Sequence, residues 1–285
     1  MTTTTPVADR PRVVYDSSEA VKIKPWRYRQ LILTLTRREL AGRYKSAALG
    51  WAWALLVPAL QIAVYSIVFS LILRVNPGTM GNGEQGVFWV WLVVGFVSYN
   101  VFSGIVSRGG GSIVGSGPLM QKTYFPSYVP VLATAAAVLF QSSIEFGIVM
   151  LILALFNNVA LTWLALPVLV LVLSVFVIAV SYVVALANMY LRDVGLLLPV
   201  VLQMMFYLSG VIFPVQMIPE KLHVLKVAIE ANPMLQFVQA FRSVLYDLQW
   251  PAWETMVYLV AWTLFAVGAM IFSYRKWGLD VSELT

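Results

Sequence analysis

Between Leu49 and Leu73 the chain runs for 25 residues without a charged side chain. About 20 apolar residues carry a helix across the hydrocarbon of a bilayer, so this run has the length of a membrane span and no counterpart in the core of a soluble domain. A basic arm precedes it, ending Arg43-Tyr44-Lys45, and a joint of small residues, Ser46 to Gly50, separates arm from span. Trp51 and Trp53 stand at the seam, where amphipathic indoles favour the membrane–water interface, and Arg74 stops the run at its other end. The composition generalises the point: 60% of residues are hydrophobic and 11% charged, where soluble domains carry about 25% charged. The chain reads as an all-α integral membrane protein. It contains no cysteine and one histidine, His223, which excludes disulfides, thiolate sites and His-cluster metal centres. No metal or other cofactor is expected in this chain. The net charge of +6 does not point to nucleic acid, because ten of the 19 basic residues precede Ala47, as orientation charge beside a membrane does.

The hydropathy pattern divides the chain into a polar tail (1–25), an interface helix (26–47), six apolar spans, and a second tail (275–285). The first tail is polar and Pro-punctuated, with no apolar core of signal-peptide type, and is expected to be disordered. The spans fall at about 49–73, 87–106, 128–156, 161–191, 196–213 and 255–274. In the interface helix Trp26, Leu33, Leu40 and Tyr44 share one face, while Leu31, Ile32 and Leu35 fall nearly opposite. Two apolar faces suggest lipid on one side and protein on the other; a simple positive anchor is the alternative. An even number of spans places both termini on one side. That side collects fifteen basic residues, including Arg37, Arg38, Arg108, Lys122 and Arg192, against four on the other. The bias puts both termini in the cytoplasm.

Four stretches stand out beyond the spans. Ser107 to Pro126 is glycine-rich, carries Pro118 and closes with Lys122-Thr123-Tyr124-Phe125-Pro126. Its glycines and prolines predict that the second span ends before it, leaving a short helix between turns. Asn188-Met189-Tyr190-Leu191-Arg192-Asp193-Val194 forms the fourth-to-fifth turn, where Arg192 and Asp193 make at least a solvated ion pair. The fifth span ends Phe206-Tyr207-Leu208-Ser209-Gly210. The segment 214–253, opened by Pro214, is too long for a simple loop: Ile218, Leu222, Leu225 and Ile229 make one helical face, Asn232-Pro233 breaks it, and Phe237, Phe241, Val244 and Leu245 make a second.

The order of these motifs resembles the membrane subunits of ABC polysaccharide exporters, the Wzm-like and teichoic-acid-exporter permeases. The resemblance covers residues 27 to 275 and begins at the basic arm, Arg37, Arg38, Glu39, Arg43, Tyr44 and Lys45, running into Leu49-Gly50-Trp51 and Pro58. It continues through the Lys122–Pro126 and Arg192-Asp193-Val194 stretches and the Ser209 helix break, where the family's usual Pro is Gly210 here. It closes with Ile218-Pro219, Asn232-Pro233-Met234 and Arg242. The resemblance implies that 107–126 is a coupling helix docking on an ATPase, with Pro118, Lys122, Tyr124, Phe125, Pro126, Arg192 and Asp193 at that contact. It implies that Ser209, Gly210, Pro214, Pro219, Asn232, Pro233 and Arg242 belong to external gate helices between spans five and six. It further implies a homodimer in a bacterial cytoplasmic membrane, paired with two copies of a Wzt-like ATPase that holds ATP and Mg, and a polyprenyl-pyrophosphate-linked polysaccharide as cargo. O-antigen, teichoic acid and galactan all fit. A Walker loop needs G-x-x-x-x-G-K-[ST], and the sequence contains no such string, so hydrolysis is expected in the partner.

Within the spans Glu145 is the sharpest residue, since a carboxylate at bilayer depth costs about 2.5–3.5 kcal/mol and faces protein or a water-filled space. It serves as a path-side acid or as an interhelical anchor, with Gln141 and Ser142 one turn back. Aromatic side chains recur in the spans: Tyr65, Phe69, Tyr99, Phe102, Phe140, Tyr182, Phe206 and Tyr207. Such rings pack on the C–H faces of sugars or simply on one another. A drug or small-lipid exporter of the same fold is the rival reading. A membrane glycan-processing enzyme is a weaker one, because Glu145 has no acidic companion at catalytic spacing.

Overall fold

The computed structural model describes residues 25–44, 48–123, 125–214, 217 and 223–278, most of them in helices. A 3-10 turn at Pro25–Tyr28 leads into α1, Arg29–Tyr44. α2 is Trp53–Ser66, continued by the wider turns of Ile67–Ile72, and α3 is Phe88–Gly115. The short α4, Gly117–Met120, precedes α5, Tyr128–Leu155; the turn Leu161–Ala165 opens α6, Leu166–Tyr190. α7 is Asp193–Leu208, α8 His223–Glu230, α9 Pro233–Leu245 and α10 Trp253–Trp277.

Five helices among the described residues are long and apolar enough to cross a membrane: α2 with its extension, α3, α5, α6 with its opening turn, and α10. α7 is apolar but shorter. The span expected at 196–213 starts earlier and stops at Leu208, because Gly210 adopts a positive φ of 61° that ends the helix in the left-handed region.

α3 is the central helix, packed by α2, α5, α6, α7 and α9, while α1 rests on α5 and α10 on α6 and α9. In its most apolar stretch 78% of residues are buried inside the chain, against none in α2. Small residues make this possible, as they do between membrane helices generally. A Cβ on Gly104 would stand 3.1 Å from Val138 of α5, and one on Gly110 would stand 2.9 Å from Leu198 of α7 and 3.1 Å from Val184 of α6. One on Gly109 would strike the Ser181 hydroxyl. The same glycines overturn the expectation that the second span ends at 106. They are packing notches, so α3 runs on to Gly115 and carries Arg108 on its body.

α1 lies against the start of α5, where the Thr36 hydroxyl donates to the Ala133 carbonyl at 3.1 Å. Leu31, Ile32 and Leu35 pack on the cluster built by Ile113, Val129 and Tyr182, whereas Trp26 and Leu33 are exposed. The two expected faces are therefore used differently, one by protein and one free. The side bearing α1 is the arm side. There Ser127 meets the Tyr182 hydroxyl at 2.9 Å and donates to the Gly278 carbonyl at 3.2 Å, tying α5, α6 and α10 together.

Candidate functional site

On the far side, α7 ends inside the structure and its last carbonyls need donors, since nothing in a membrane replaces water for them. α9 supplies them from both of its ends. At its start Asn232 caps the helix, its oxygen accepting from the Met234 N–H at 2.9 Å, with Pro233 at the first helical position. The Asn232 amide nitrogen then donates to the Leu208 carbonyl at 3.2 Å and to the Ser209 hydroxyl at 3.3 Å. In the last turn of α9, Arg242 donates to the Gly210 and Val211 carbonyls, each at 2.7 Å. Its guanidinium carbon lies 3.3 Å from the centre of the Trp91 ring, a cation–π contact. Burial pulls the Arg242 pKa down to about 9, with Asp247 opposing the fall, so the group stays charged at neutral pH. The C-terminal carbonyls of α9 are met in turn. Thr162 donates to Val244 at 2.9 Å, and the Asn158 amide donates to Leu245 and Tyr246 at 2.9 Å each.

The expected stripe of α9 is buried as a unit, Phe237, Phe241, Val244 and Leu245 all being fully enclosed. Phe241 stacks on Phe146 of α5 with ring centres 5.3 Å apart. In α8, Ile229 is buried, while Ile218, Leu222 and Pro219 lie outside the described residues.

A second constellation lies between α2, α3 and α7. A groove of about 160 Å³ is lined by Gln61, Tyr65, Tyr99, Asn100, Gln203 and Phe206, among others. Phe206 is its hub: its ring centre is 5.5 Å from Tyr65, 5.3 Å from Tyr99, 6.0 Å from Phe96 and 5.6 Å from Tyr207. The Tyr99 hydroxyl donates to the Leu202 carbonyl, which fixes α7 against α3. Phe102 is buried with its ring 5.8 Å from Tyr99. The other expected path aromatics lie elsewhere. Phe69 stacks on Phe88 at 6.0 Å, Phe140 is exposed, and Tyr182 is fully buried in the arm-side cluster near Tyr274.

Glu145 is buried at 6% exposure, and one of its oxygens accepts from the Gln141 side-chain amide at 2.9 Å. It faces protein, on the α2 and α3 side of α5, where it lines two cavities. At the arm-side tip Pro118, Lys122, Arg192 and Asp193 are exposed, whereas Phe125 is buried in the cluster around Ile113 and Pro126 is half-buried beside it. Arg37, Arg38 and Glu39 are exposed on α1. Arg43 and Tyr44 close α1, with side chains outside the description, as are Lys45 and Tyr124 altogether.

Sequence reasoning missed Trp91, Gly95, Asn158 and Thr162. A Cβ on Gly95 would strike the Arg242 guanidinium, so this glycine is the notch that admits it. Its only signal was a glycine one helical turn from Trp91; Asn158 and Thr162 had none, being polar residues in a turn.

The ABC-2 type transporter family matches residues 30–246, from α1 through the end of α9. The chain belongs to that family. Among curated relatives, this ABC-2 chain is 28% identical over 239 residues to the O-antigen export system permease protein RfbA of Myxococcus xanthus, covering 83% of this chain and 88% of the relative. It is 24% identical to the O-antigen export system permease protein RfbA of Klebsiella pneumoniae, over 87% of this chain and 92% of that protein. The matched region of the ABC-2 chain thus contains the α9 latch, the aromatic groove and Glu145.

Proposed function

We propose that the chain is the permease subunit of an ABC exporter that moves a lipid-linked polysaccharide out of the bacterial cytoplasm, powered by a separate ATPase. The observation that carries this reading is the match to two O-antigen export permeases over about nine-tenths of their lengths. The groove between α2, α3 and α7 supports it, since a ring-lined surface flanked by amides can hold successive sugars weakly, through C–H contacts and exchangeable hydrogen bonds. In this reading the arm side is cytoplasmic and the α9 side external. The exposed tip around Pro118 and Lys122 meets the ATPase, while the buried Phe125 anchors that tip in the fold.

The working unit is a homodimer with two copies of the ATPase. Gln61 of α2 and Gln203 of α7 are exposed at mid-span. Facing hydrocarbon, each would forgo hydrogen bonds, at a cost that a second copy closing the groove removes. α2 offers that copy an apolar face that includes Leu56, Leu60, Val64 and Ile67.

Depletion of the chain in its host tests the reading. Polyprenyl-pyrophosphate-linked glycan accumulating on the cytoplasmic side is the expected result. Unchanged glycolipid together with retention of a drug or a small lipid would transfer the function to the rival exporter class.

A further inference from the structure

On the opposite flank of α2 from the aromatic groove, a second channel-like space runs between α2, α3 and α5. Its polarity changes along its length. Nearest the α9 side it is a cavity of about 420 Å³ walled by apolar residues such as Leu55, Ile62, Val97 and Ile148. Sharing Pro58 and Glu145 with this, a cavity of about 530 Å³ continues toward the arm side and is lined by Trp53, Asn100, Ser103 and Arg108. A third space of about 360 Å³ opens between α1, α3 and α5, lined by Arg38, Glu39, Ser112 and Thr134, and again by Arg108. Arg108 is the junction of the last two.

Nη1 of Arg108 is buried with no hydrogen-bond partner among the described residues. Arg108 lies 20 residues beyond Phe88 on α3. That is about 30 Å along a helix axis, close to the thickness of a bilayer's hydrocarbon. Arg108 therefore stands where the head groups of the arm-side leaflet lie. Four groups of opposite sign face this space: Arg38 and Arg108 are positive, Glu39 and Glu145 negative. Because Gly104 faces Val138, the backbones of Arg108 and Glu145 are offset by 11 residues along their packed helices, about 16 Å. An anion seated on Arg108 thus lies on the arm side of Glu145, which lines the same cavity, and has Arg38 and Glu39 across the next space. Above Gly111 and Gly115 no atom of the described residues lies within 4 Å of a Cβ, so on that count the approach is open.

We propose that this groove binds a lipid carrying a phosphate or pyrophosphate head group, with the head on Arg108 and the chain along the apolar cavity between α2 and α5. A planar guanidinium with a free N–H is matched to phosphate oxygens, and the pair is strongest where water is scarce. Gln61, Asn100 and Ser103 border both this space and the aromatic groove. Only α2 separates the two, which makes the Arg108 groove the loading position for cargo bound for the path. The choice of a polyprenyl lipid rests on the export reading; the phosphate site does not.

The test uses the purified permease–ATPase complex and native mass spectrometry with undecaprenyl pyrophosphate, undecaprenol and phosphatidylglycerol as probes. Undecaprenyl pyrophosphate should remain bound and undecaprenol should not. Arg108→Ala should weaken retention at least about tenfold, the scale of a lost charge-assisted pair, while Arg108→Lys keeps part of it. Gly111→Leu, which blocks the approach without touching charge, should also weaken it. Displacement by an equal concentration of phosphatidylglycerol would support the phosphate site and assign it to bulk lipid. Equal retention by Arg108→Ala and wild type, or equal binding of undecaprenol, would overturn the proposal. Should the cargo be something other than a polyprenyl glycan, depletion would leave glycolipid unchanged, yet the Arg108→Ala difference in phosphate-lipid binding would persist.

Discussion

Two arginines sit within the helical body, and the molecule treats them in opposite ways. Arg242 is 5% exposed, holds two carbonyls at 2.7 Å each and lies flat on Trp91. Arg108 is half-buried and keeps a buried nitrogen without a hydrogen-bond partner among the described residues. Around Arg242 the end of α7 and both ends of α9 are capped, by Asn232, Asn158 and Thr162. Both arginines line cavities, of about 400 Å³ at Arg242 and of about 530 and 360 Å³ at Arg108, and the largest of these is walled by α2, the least buried of the long helices. A cation whose donors are spent on the fold stabilises that fold. A cation left with a free donor beside a cavity is available to a ligand. The α9 side is accordingly a locked assembly, and the Arg108 groove is where we propose that a lipid head group binds.

Substitutions can break this contrast. Arg242→Ala strips the Gly210 and Val211 carbonyls of their donors and should cost about 3 kcal/mol or more, read as a large drop in melting temperature in detergent. A small drop would mean that the latch is not structural. Gly95→Ala inserts a methyl group into the Arg242 guanidinium and should cost about 1–3 kcal/mol, whereas Gly104→Ala, facing a single Val138 methyl, should cost less. Reversal of that order would place the strain elsewhere. Glu145→Leu removes the bond from Gln141 and should lower stability by about 0.6–2 kcal/mol, with Glu145→Gln nearly silent on the same melting curve. If Glu145→Gln melts early as well, the charge itself is holding the helices. Arg108→Ala should shift stability by less than about 0.5 kcal/mol, because its buried Nη1 holds no described group. A loss comparable with that of Arg242→Ala would erase the distinction.

Much of this was legible in the sequence because a membrane leaves few options. Long uncharged runs have to be helices, and the motif order picked out the break at Ser209 and, separately, Asn232-Pro233 and Arg242 as gate residues, without linking the two. The physical reason for those residue types became visible only in the fold: α7 stops at Leu208, and its carbonyls need an amide and a guanidinium. Gly109 and Gly110 misled, since glycine can end a helix or notch one for a neighbour, and local sequence does not say which. Replacing the whole 109–125 stretch would therefore remove the last turns of α3 and the buried Phe125, where only the tip at Pro118 and Lys122 is free. The aromatic path was half visible: Tyr65, Tyr99 and Tyr207 converge, but Tyr182 and Phe140 share their composition without their location.

Reconstitution tests the account most directly. The chain is placed in proteoliposomes with its ATPase and a polyprenyl-pyrophosphate-linked glycan, and the appearance of glycan on the opposite leaflet is followed with and without ATP. ATP-dependent appearance is predicted, with no ATP turnover by the chain alone. Active ATP hydrolysis by the complex with the glycan remaining on its starting leaflet would contradict it.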